Sequence, residues 1–194
     1  MSAPASPVYL LAREVQGQHF SAWFTGGRRL AREQTPDRQL LDLPAYRQLD
    51  DHSCGFVAAL TITQYFDRDV RSEDVLAAVR PSVDSGCDQR KVVRALRRFG
   101  ITAEYREDLD REALFSLAGQ GLPVAVTVWL EEYGCDHWAV VRGIDLQQGR
   151  VYLINDEHSS PQQGLSWGEF EAVWCPRGGG LICRRTGRTL GGTQ

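Results

Sequence analysis

The sequence has no apolar run that approaches the roughly 20 residues needed to cross a bilayer. Its first residues, Met-Ser-Ala-Pro-Ala-Ser-Pro, lack both the basic start and the apolar centre of a signal peptide. Basic charge is not in excess either, because the net charge is -3 and the sequence pI is about 5.8. These absences argue against a membrane or nucleic-acid partner, and we expect a cytoplasmic, soluble protein.

Metal-binding patterns are also missing. No Cys-x-x-Cys pair occurs, and the cysteines and histidines do not have the spacing of a zinc site. The five cysteines are Cys54, Cys87, Cys135, Cys175 and Cys183. An odd number without a disulfide framework is typical of a reducing compartment. We therefore expect no metal ion and no cofactor, which disfavours a zinc hydrolase.

The chain of 194 residues suits one domain with a small extension. Residues 8–35 alternate like strands and are interrupted by glycines, which indicates a β-hairpin. We predict an N-terminal extension over residues 1–35, a main domain over residues 36–186 and a flexible C-terminal tail over residues 187–194.

Helical periodicity dominates the first half of the main domain, and strand alternation dominates the second half. The predicted helices are 54–66, 73–79, 89–99, 110–119 and a short one capped by Ser166. The predicted strands are 101–105, 123–130, 137–144, 151–155 and 181–183. Helices first and antiparallel strands second is the order of an α+β fold.

Cys54 and Gly55 open the first of these helices. Free N–H groups and the helix dipole at that position favour an anion, so they lower the pKa of a thiol. Gly55 allows the backbone to approach its neighbours closely. We predict that Cys54 is a nucleophile; the alternative is a buried structural cysteine.

Two further residues supply what a thiol nucleophile needs. Gln48, six residues before Cys54, offers a side-chain N–H that would form an oxyanion hole together with the Cys54 backbone N–H. His137 stands at the head of an apolar strand and would act as general base and ion-pair partner of Cys54. The alternatives are a surface glutamine and a partly buried histidine. His52 is more typical of a loop side chain than of a substrate contact.

The imidazole also needs a partner on its second nitrogen. Asn155 and Asp156 close the strand that follows the His137 strand, and either residue type serves in such sites. Strand alternation would send the two side chains to opposite faces, so only one of them would reach His137. We favour Asp156.

Four blocks, taken together and in this order, resemble the bacteriocin-processing (double-glycine leader) cysteine peptidases and their stand-alone relatives, within the papain-like superfamily. The resemblance spans roughly residues 44–185. The blocks are Gln48-x5-Cys54-Gly55, residues 86–100, residues 137–141 and residues 151–156.

The resemblance implies a papain-like α+β fold, with a helical half that carries the nucleophile helix packed on an antiparallel β-sheet. It implies that residues 36–186 are a cysteine peptidase domain, which cleaves peptide bonds through a thioester acyl-enzyme, with cleavage after Gly-Gly as one option. Cys54 would be the nucleophile, His137 the base, Asp156 the orienting residue and Gln48 the oxyanion-hole donor. The substrate would be a peptide or protein, and a protein partner could deliver it.

Two departures from the family pattern are Ser53, where an Asp is common, and Glu157, where Pro is frequent. The residues leave two other functions open: a papain-like acyltransferase, and a non-catalytic module that binds peptides or proteins. Residues 8–35 fall outside the resemblance and could pack on the sheet or guard the cleft. Gly191 and Gly192 in the tail could themselves be a cleavage site.

Overall fold

The structure is a computed structural model that describes residues 7–158 and 160–186. The predicted Gly191-Gly192 site lies outside the described residues. The helices are α1 Cys54–Phe66, α2 Ser72–Val79, α3 Gln89–Arg98, α4 Arg111–Gly119 and α5 Trp167–Val173. The strands are β1 Val8–Val15, β2 Gln18–Arg29, β3 Glu33–Gln34, β4 Arg38–Leu40, β5 Pro44–Gln48, β6 Ile101–Arg106, β7 Val124–Leu130, β8 Cys135–Asp145, β9 Arg150–Ile154, β10 Leu165–Ser166 and β11 Gly180–Arg185.

The helix that begins at Cys54 is the centre of the helical half. Nine consecutive residues of α1, from Gly55 to Thr63, are buried. The helix packs on α2 and α3 on one side and on β5 and β8 on the other. Each large apolar side chain buried in this way contributes about 1.5–3 kcal/mol to the stability of the fold. The packing of α1 therefore gives Cys54 a rigid support.

Helix ends follow the polar residues of the sequence. The Asp88 side chain accepts a hydrogen bond from the Lys91 backbone N–H and caps α3. Ser166 and Glu169 form a reciprocal capping box at the start of α5. The helix predicted over residues 73–79 begins one residue earlier, because α2 starts at Ser72 and Arg71 is its N-cap residue.

The larger sheet has the strand order β10-β9-β8-β7-β11-β6, with β4 paired to β8. The neighbouring strands along this order pair antiparallel. The α+β class and the papain-like arrangement predicted from the sequence are confirmed. His137 is the third residue of β8, because this strand begins two residues earlier than predicted.

A smaller sheet has the order β1-β2-β5. Residues 8–29 form an antiparallel hairpin in which Leu10 pairs with Trp23 and Tyr9 with Phe24. The second strand of the hairpin also pairs with β5, the strand that ends at Gln48. The N-terminal segment is therefore built into the same sheet as a predicted site residue.

The larger sheet is buried on both faces. One core lies between the sheet and α1 and contains Phe56, Leu60, Trp138 and Val140. The other core lies under α4 and α5 and contains Phe170, Ala139 and Val141 among others. Alternate residues of β8 therefore enter different cores, which fixes the register of the strand that carries His137.

Candidate active site

Cys54 is the first residue of α1, as predicted, and it is partly exposed. The Asp50 carboxylate holds the loop that leads into the helix. It accepts hydrogen bonds from the backbone N–H groups of Ser53 at 2.8 Å and His52 at 3.1 Å. It also accepts one from the Trp23 N–H at 2.6 Å, which ties the loop to the hairpin. The backbone on both sides of Cys54 is thus fixed, by this loop before it and by α1 after it.

The backbone after Cys54 lies directly against Cys87. A Cβ atom added at Gly55 would stand 2.4 Å from the Cβ of Cys87. Real Cβ atoms do not approach this closely, so a glycine is required at this position for α1 to sit where it does. The Trp138 indole N–H donates to the Cys87 carbonyl at 2.9 Å and joins the same segment to β8.

Burial raises the pKa of the Cys54 thiol above its ordinary value. The backbone N–H groups of Trp138 and Gly55 stabilise the thiolate and partly offset this increase in pKa. Cys135 and Asp50 add a smaller increase. The expected decrease is therefore not found, because removal of the thiol from water outweighs the donors at the helix start.

His137 is buried, and its Nε2 atom is hydrogen-bonded to the backbone carbonyl of Asn155. A carbonyl oxygen only accepts, so Nε2 carries a proton and the lone pair of the neutral ring is on Nδ1. Burial lowers the pKa of His137, against the opposing effects of the Asn155 hydrogen bond and the Glu157 and Asp156 charges. The ring is therefore neutral near pH 7 and can accept a proton at Nδ1.

Gln48 is buried at the end of β5, and its side chain is oriented by two partners. Its Nε2 donates to the Asp50 carbonyl at 2.7 Å, and its Oε1 accepts from Asn155 Nδ2 at 3.4 Å. If the Gln48 amide were rotated by 180°, its oxygen would face the Asp50 carbonyl oxygen, and neither atom could donate. The hydrogen bonds therefore identify the atom that faces Asp50 as the NH2 nitrogen. One N–H of that group remains for another acceptor.

Asn155 forms hydrogen bonds to three residues of the site, Gln48, Trp138 and His137. Its Oδ1 accepts from the Gln48 backbone N–H at 2.8 Å, and its Nδ2 donates to the Trp138 carbonyl at 3.0 Å. Its own carbonyl binds His137. The residue is 1% exposed and has a φ of +61°, a left-handed conformation that Asn tolerates better than most residues. The sequence pattern did not indicate this connecting role.

Asp156 is buried next to this arrangement, and its charge raises the pKa of His137. Strand alternation does not apply at this position, because β9 ends at Ile154 and Asn155 adopts the left-handed conformation. The hydrogen bond that Nε2 of His137 makes here goes to the Asn155 carbonyl. Orientation of His137 by the Asp156 side chain stays a prediction.

Two neighbouring residues have a larger role than the sequence suggested. His52 is buried, with Nε2 at 3.1 Å from the Ser21 carbonyl and Nδ1 at 3.2 Å from the Asp51 carboxylate. It joins the loop before Cys54 to the hairpin. Asp50 was not singled out, although an Asp four residues before a helix start is a known turn former that could have indicated its role.

Cys54 lies where two parts of one cleft meet. We call them the Cys87 half and the His137 half. The Cys87 half, about 520 Å³, is lined by Cys54, Cys87, Trp138 and Gly180 among others. The His137 half, about 670 Å³, is lined by Cys54, Gln48, His137 and Leu49 among others. Among the described residues, Gln48 and His137 line only the second half.

In the part of the chain that the structure describes, no three or more His, Cys, Asp or Glu side chains are placed to hold a metal ion. Over the same residues, no helix is both long enough and apolar enough to span a bilayer.

Similar proteins have this fold. A double glycine motif protease from an AMS/PCAT transporter, solved in complex with the leader peptide, has a TM-score of 0.57 and 20% identity over 76% of this chain and 95% of that chain. The peptidase domain of Streptococcus ComA, a bi-functional ABC transporter of a quorum-sensing pathway, has a TM-score of 0.54 and 16% identity over 75% and 96%. A Bacillus anthracis protein described as a C39-like peptidase has a TM-score of 0.60 and 16% identity over 77% and 99%.

The predicted resemblance to double-glycine peptidases is thus confirmed in fold. No curated protein matches the sequence. Residues 38–173 match the family described as "Papain-like cysteine protease AvrRpt2". This match covers well over half of the sequence, and the chain therefore belongs to the papain-like cysteine protease family.

Proposed function

We propose that this protein hydrolyses peptide bonds through a thioester formed at Cys54. The observation that carries the proposal is the fixed tautomer of His137. With Nε2 bound to the Asn155 carbonyl, the lone pair of the neutral ring is on Nδ1, and His137 lines the same cleft half as Cys54 and Gln48. Proton transfer from a thiol requires a base of this kind in the same site.

In the first step, the Cys54 thiol gives its proton to Nδ1 of His137 as the sulfur attacks the carbonyl carbon. The carbonyl oxygen becomes an oxyanion, which accepts hydrogen bonds from Gln48 Nε2 and the Cys54 backbone N–H. The second donor has no partner within the helix, because the first N–H groups of a helix lack one. Together these donors form the oxyanion hole.

In the second step, the imidazolium returns the proton to the leaving amine, and the C–N bond breaks. A thioester joins Cys54 to the acyl part of the substrate. Water then gives a proton to Nδ1 and attacks the thioester. The C–S bond breaks, and the imidazolium returns its proton to the leaving sulfur, which releases the acid and restores the Cys54 thiol. Asp156 stabilises the imidazolium that forms in each step, since its negative charge raises the pKa of His137.

The shifts in the pKa values of Cys54 and His137 favour a neutral thiol and a neutral imidazole before substrate binds. Burial raises the pKa of Cys54 and lowers that of His137, so separate charges are disfavoured until a substrate is attacked. We therefore propose general-base activation during attack, in place of the preformed ion pair expected from the sequence.

Cleavage after Gly-Gly is the first specificity to test. One structural neighbour is a double glycine motif protease solved with a leader peptide. In this chain Gly86, Gly179 and Gly180 line the Cys87 half of the cleft, where the absence of side chains lets an extended substrate backbone approach. An acyltransferase would use the same residues, with an amine or thiol in place of water in the last step.

The test is cleavage of a pool of natural peptides, with new termini read by mass spectrometry, by the wild type, Cys54→Ala and Cys175→Ala. Cys175 is exposed and lines neither cleft half, so its variant is the matched control. We expect cleavage by the wild type and the control alone, and the residues before the new termini give the specificity. Cleavage that persists in Cys54→Ala would overturn the proposal.

Addition of hydroxylamine separates the two enzyme functions. A peptidase should give hydroxamates only as a minor product at low hydroxylamine, because water competes for the thioester. An acyltransferase should give little acid and mostly hydroxamate. If neither product forms, a protein that binds peptides without cleaving them becomes the better description.

A further inference from the structure

The wall of the His137 half continues onto the outside of the small sheet. Thr25, Arg47 and Leu49 line this half of the cleft. Thr25 pairs with Arg47 and with Val8, and the Leu49 N–H donates to the Trp23 carbonyl at 2.8 Å. By strand alternation, six residues share one face, which we call the outer face. They are Val8, Leu10, Trp23, Thr25, Arg47 and Leu49.

Four of these six residues are apolar and exposed to solvent. The exposed fractions are 60% for Val8, 52% for Leu10, 45% for Trp23 and 50% for Leu49. On the opposite face of the same strands, Ala22 and Phe24 are buried in the core. A sheet with one face in the core normally has polar residues on the other. A connected apolar patch in that place is typical of a binding surface.

The chemistry of the cleft indicates which part of a substrate would meet this surface. His137 must protonate the leaving amine, so the leaving group lies on the side of Cys54 that His137 lines. Among the described residues, His137 lines the His137 half of the cleft and does not line the Cys87 half. The His137 half continues onto the outer face through Thr25 and Leu49. The acyl part then occupies the Cys87 half.

We infer that the outer face binds an apolar segment of the substrate on the C-terminal side of the cleaved bond. This inference rests on the proposed peptidase function and adds a substrate class to it: proteins or peptides with apolar residues after the cleaved bond. It also gives the N-terminal hairpin a role, since Val8, Leu10 and Trp23 belong to β1 and β2. The first occupied positions contact Thr25 and Leu49, and the next ones contact Trp23 and Leu10.

The test uses three substrates with the same acyl part, taken from the best-cleaved peptide of the natural pool. One ends in an aminomethylcoumarin amide, one continues into Val-Leu-Val-Leu, and one continues into Ser-Thr-Ser-Thr. The enzymes are the wild type, the double variant Leu10→Thr/Trp23→Thr, and Trp129→Thr. Threonine keeps the strand propensity while it removes most of the apolar surface.

We expect wild-type kcat/KM to be about tenfold higher for the apolar than for the polar continuation, as one additional buried apolar side chain would give. The double variant should lose this preference and still hydrolyse the coumarin amide at the wild-type rate. Trp129 is 42% exposed and lines neither cleft half, so its variant should keep the preference. Circular dichroism and a thermal scan check that the double variant is folded.

Three results would overturn the inference. Equal rates on both continuations in the wild type, or a preference that survives in the folded double variant, would show that the outer face does not bind the substrate while leaving the peptidase proposal intact. A dimer in sedimentation velocity that the double variant abolishes would make a second copy the occupant. Absence of any Cys54-dependent hydrolysis of the three substrates would overturn both proposals together.

Discussion

At the scale of single residues, Asn155 is the position on which the candidate site depends most. Its side chain holds Gln48 and the Trp138 carbonyl, and its main chain holds His137. The proposed oxyanion-hole donor and the proposed base are therefore positioned by one residue. A substitution at this position should affect catalysis through both of them.

We predict that Asn155→Ala and Asn155→Gly both lower kcat by about 10²-fold, as loss of correct positioning does. Their stabilities should differ. Alanine is strained at a φ of +61° and glycine is not. The free energy of unfolding of the alanine variant should therefore be about 1 kcal/mol lower than that of the glycine variant. Urea unfolding and steady-state kinetics measure the two effects. Wild-type kcat in the folded glycine variant would contradict the positioning role.

Gln48→Met removes the proposed oxyanion donor and keeps an uncharged side chain of similar length, so it adds no charge beside Cys54. Loss of such a donor costs about 10²–10³ in kcat. We expect that decrease, with an unchanged rate of Cys54 alkylation by iodoacetamide, because alkylation involves no oxyanion. An equal decrease of both rates would indicate that Gln48 supports the fold of the site and does not stabilise the oxyanion.

The pH dependence follows from the pKa directions of Cys54 and His137. Activity needs a neutral imidazole, and burial lowers the pKa of His137, so the acid limb of kcat/KM should lie below about 6.5. Burial raises the pKa of Cys54, so iodoacetamide should alkylate it fast only above about 8.5. Fast alkylation of Cys54 at pH 5 would instead demonstrate a resting thiolate–imidazolium pair.

At the scale of elements, the contact between α1 and the segment before α3 determines the position of Cys54, the proposed nucleophile. Gly55 and Cys87 meet there with no room for a further carbon atom. The position of α1 relative to the Cys87 half of the cleft therefore depends on a glycine that makes no hydrogen bond to substrate in the proposed mechanism.

We predict that Gly55→Ala lowers the free energy of unfolding by about 1–3 kcal/mol, as overpacking of a core does, and moves the start of α1 enough to reduce kcat. Cys87→Gly removes the Cβ atom that the new methyl group would meet. The double variant Gly55→Ala/Cys87→Gly should therefore recover part of the lost kcat, whereas Gly55→Ala/Cys87→Ala should not. Equal rates in the two double variants would exclude this contact as the cause.

At the scale of the whole molecule, the five cysteines differ widely in environment. Cys135 and Cys175 are exposed, and Cys54 is partly exposed. Burial raises the pKa of Cys87 and of Cys183 to about 12. We predict that maleimide at pH 7 labels Cys135 and Cys175 first and leaves Cys87 and Cys183 unlabelled until urea unfolds the chain. Peptide mapping reads the order, and early labelling of Cys183 would contradict the position of β11 in the core.

The fold, and the meeting of Cys54, Gln48 and His137 in one cleft, could be predicted from the sequence because they depend on local patterns. A helical period after Cys54, an apolar strand after His137 and a glutamine at a fixed spacing are visible without coordinates. The role of Asn155 could not be predicted, since it depends on a left-handed backbone that ends the strand alternation. The pKa directions also needed the structure, because they follow from burial, which no local pattern reports.

The proposed neutral resting state of Cys54 has a consequence for the lifetime of the protein. Peroxide oxidises thiolates far faster than thiols, and sulfinic acid at a nucleophile is a permanent loss. A thiol whose pKa is raised gives oxidants little thiolate to react with between turnovers. The exposed Cys135, which lines both halves of the cleft, would be oxidised first. In the proposed mechanism the Cys54 thiolate forms only while a substrate covers it, so an idle molecule would keep its proposed nucleophile.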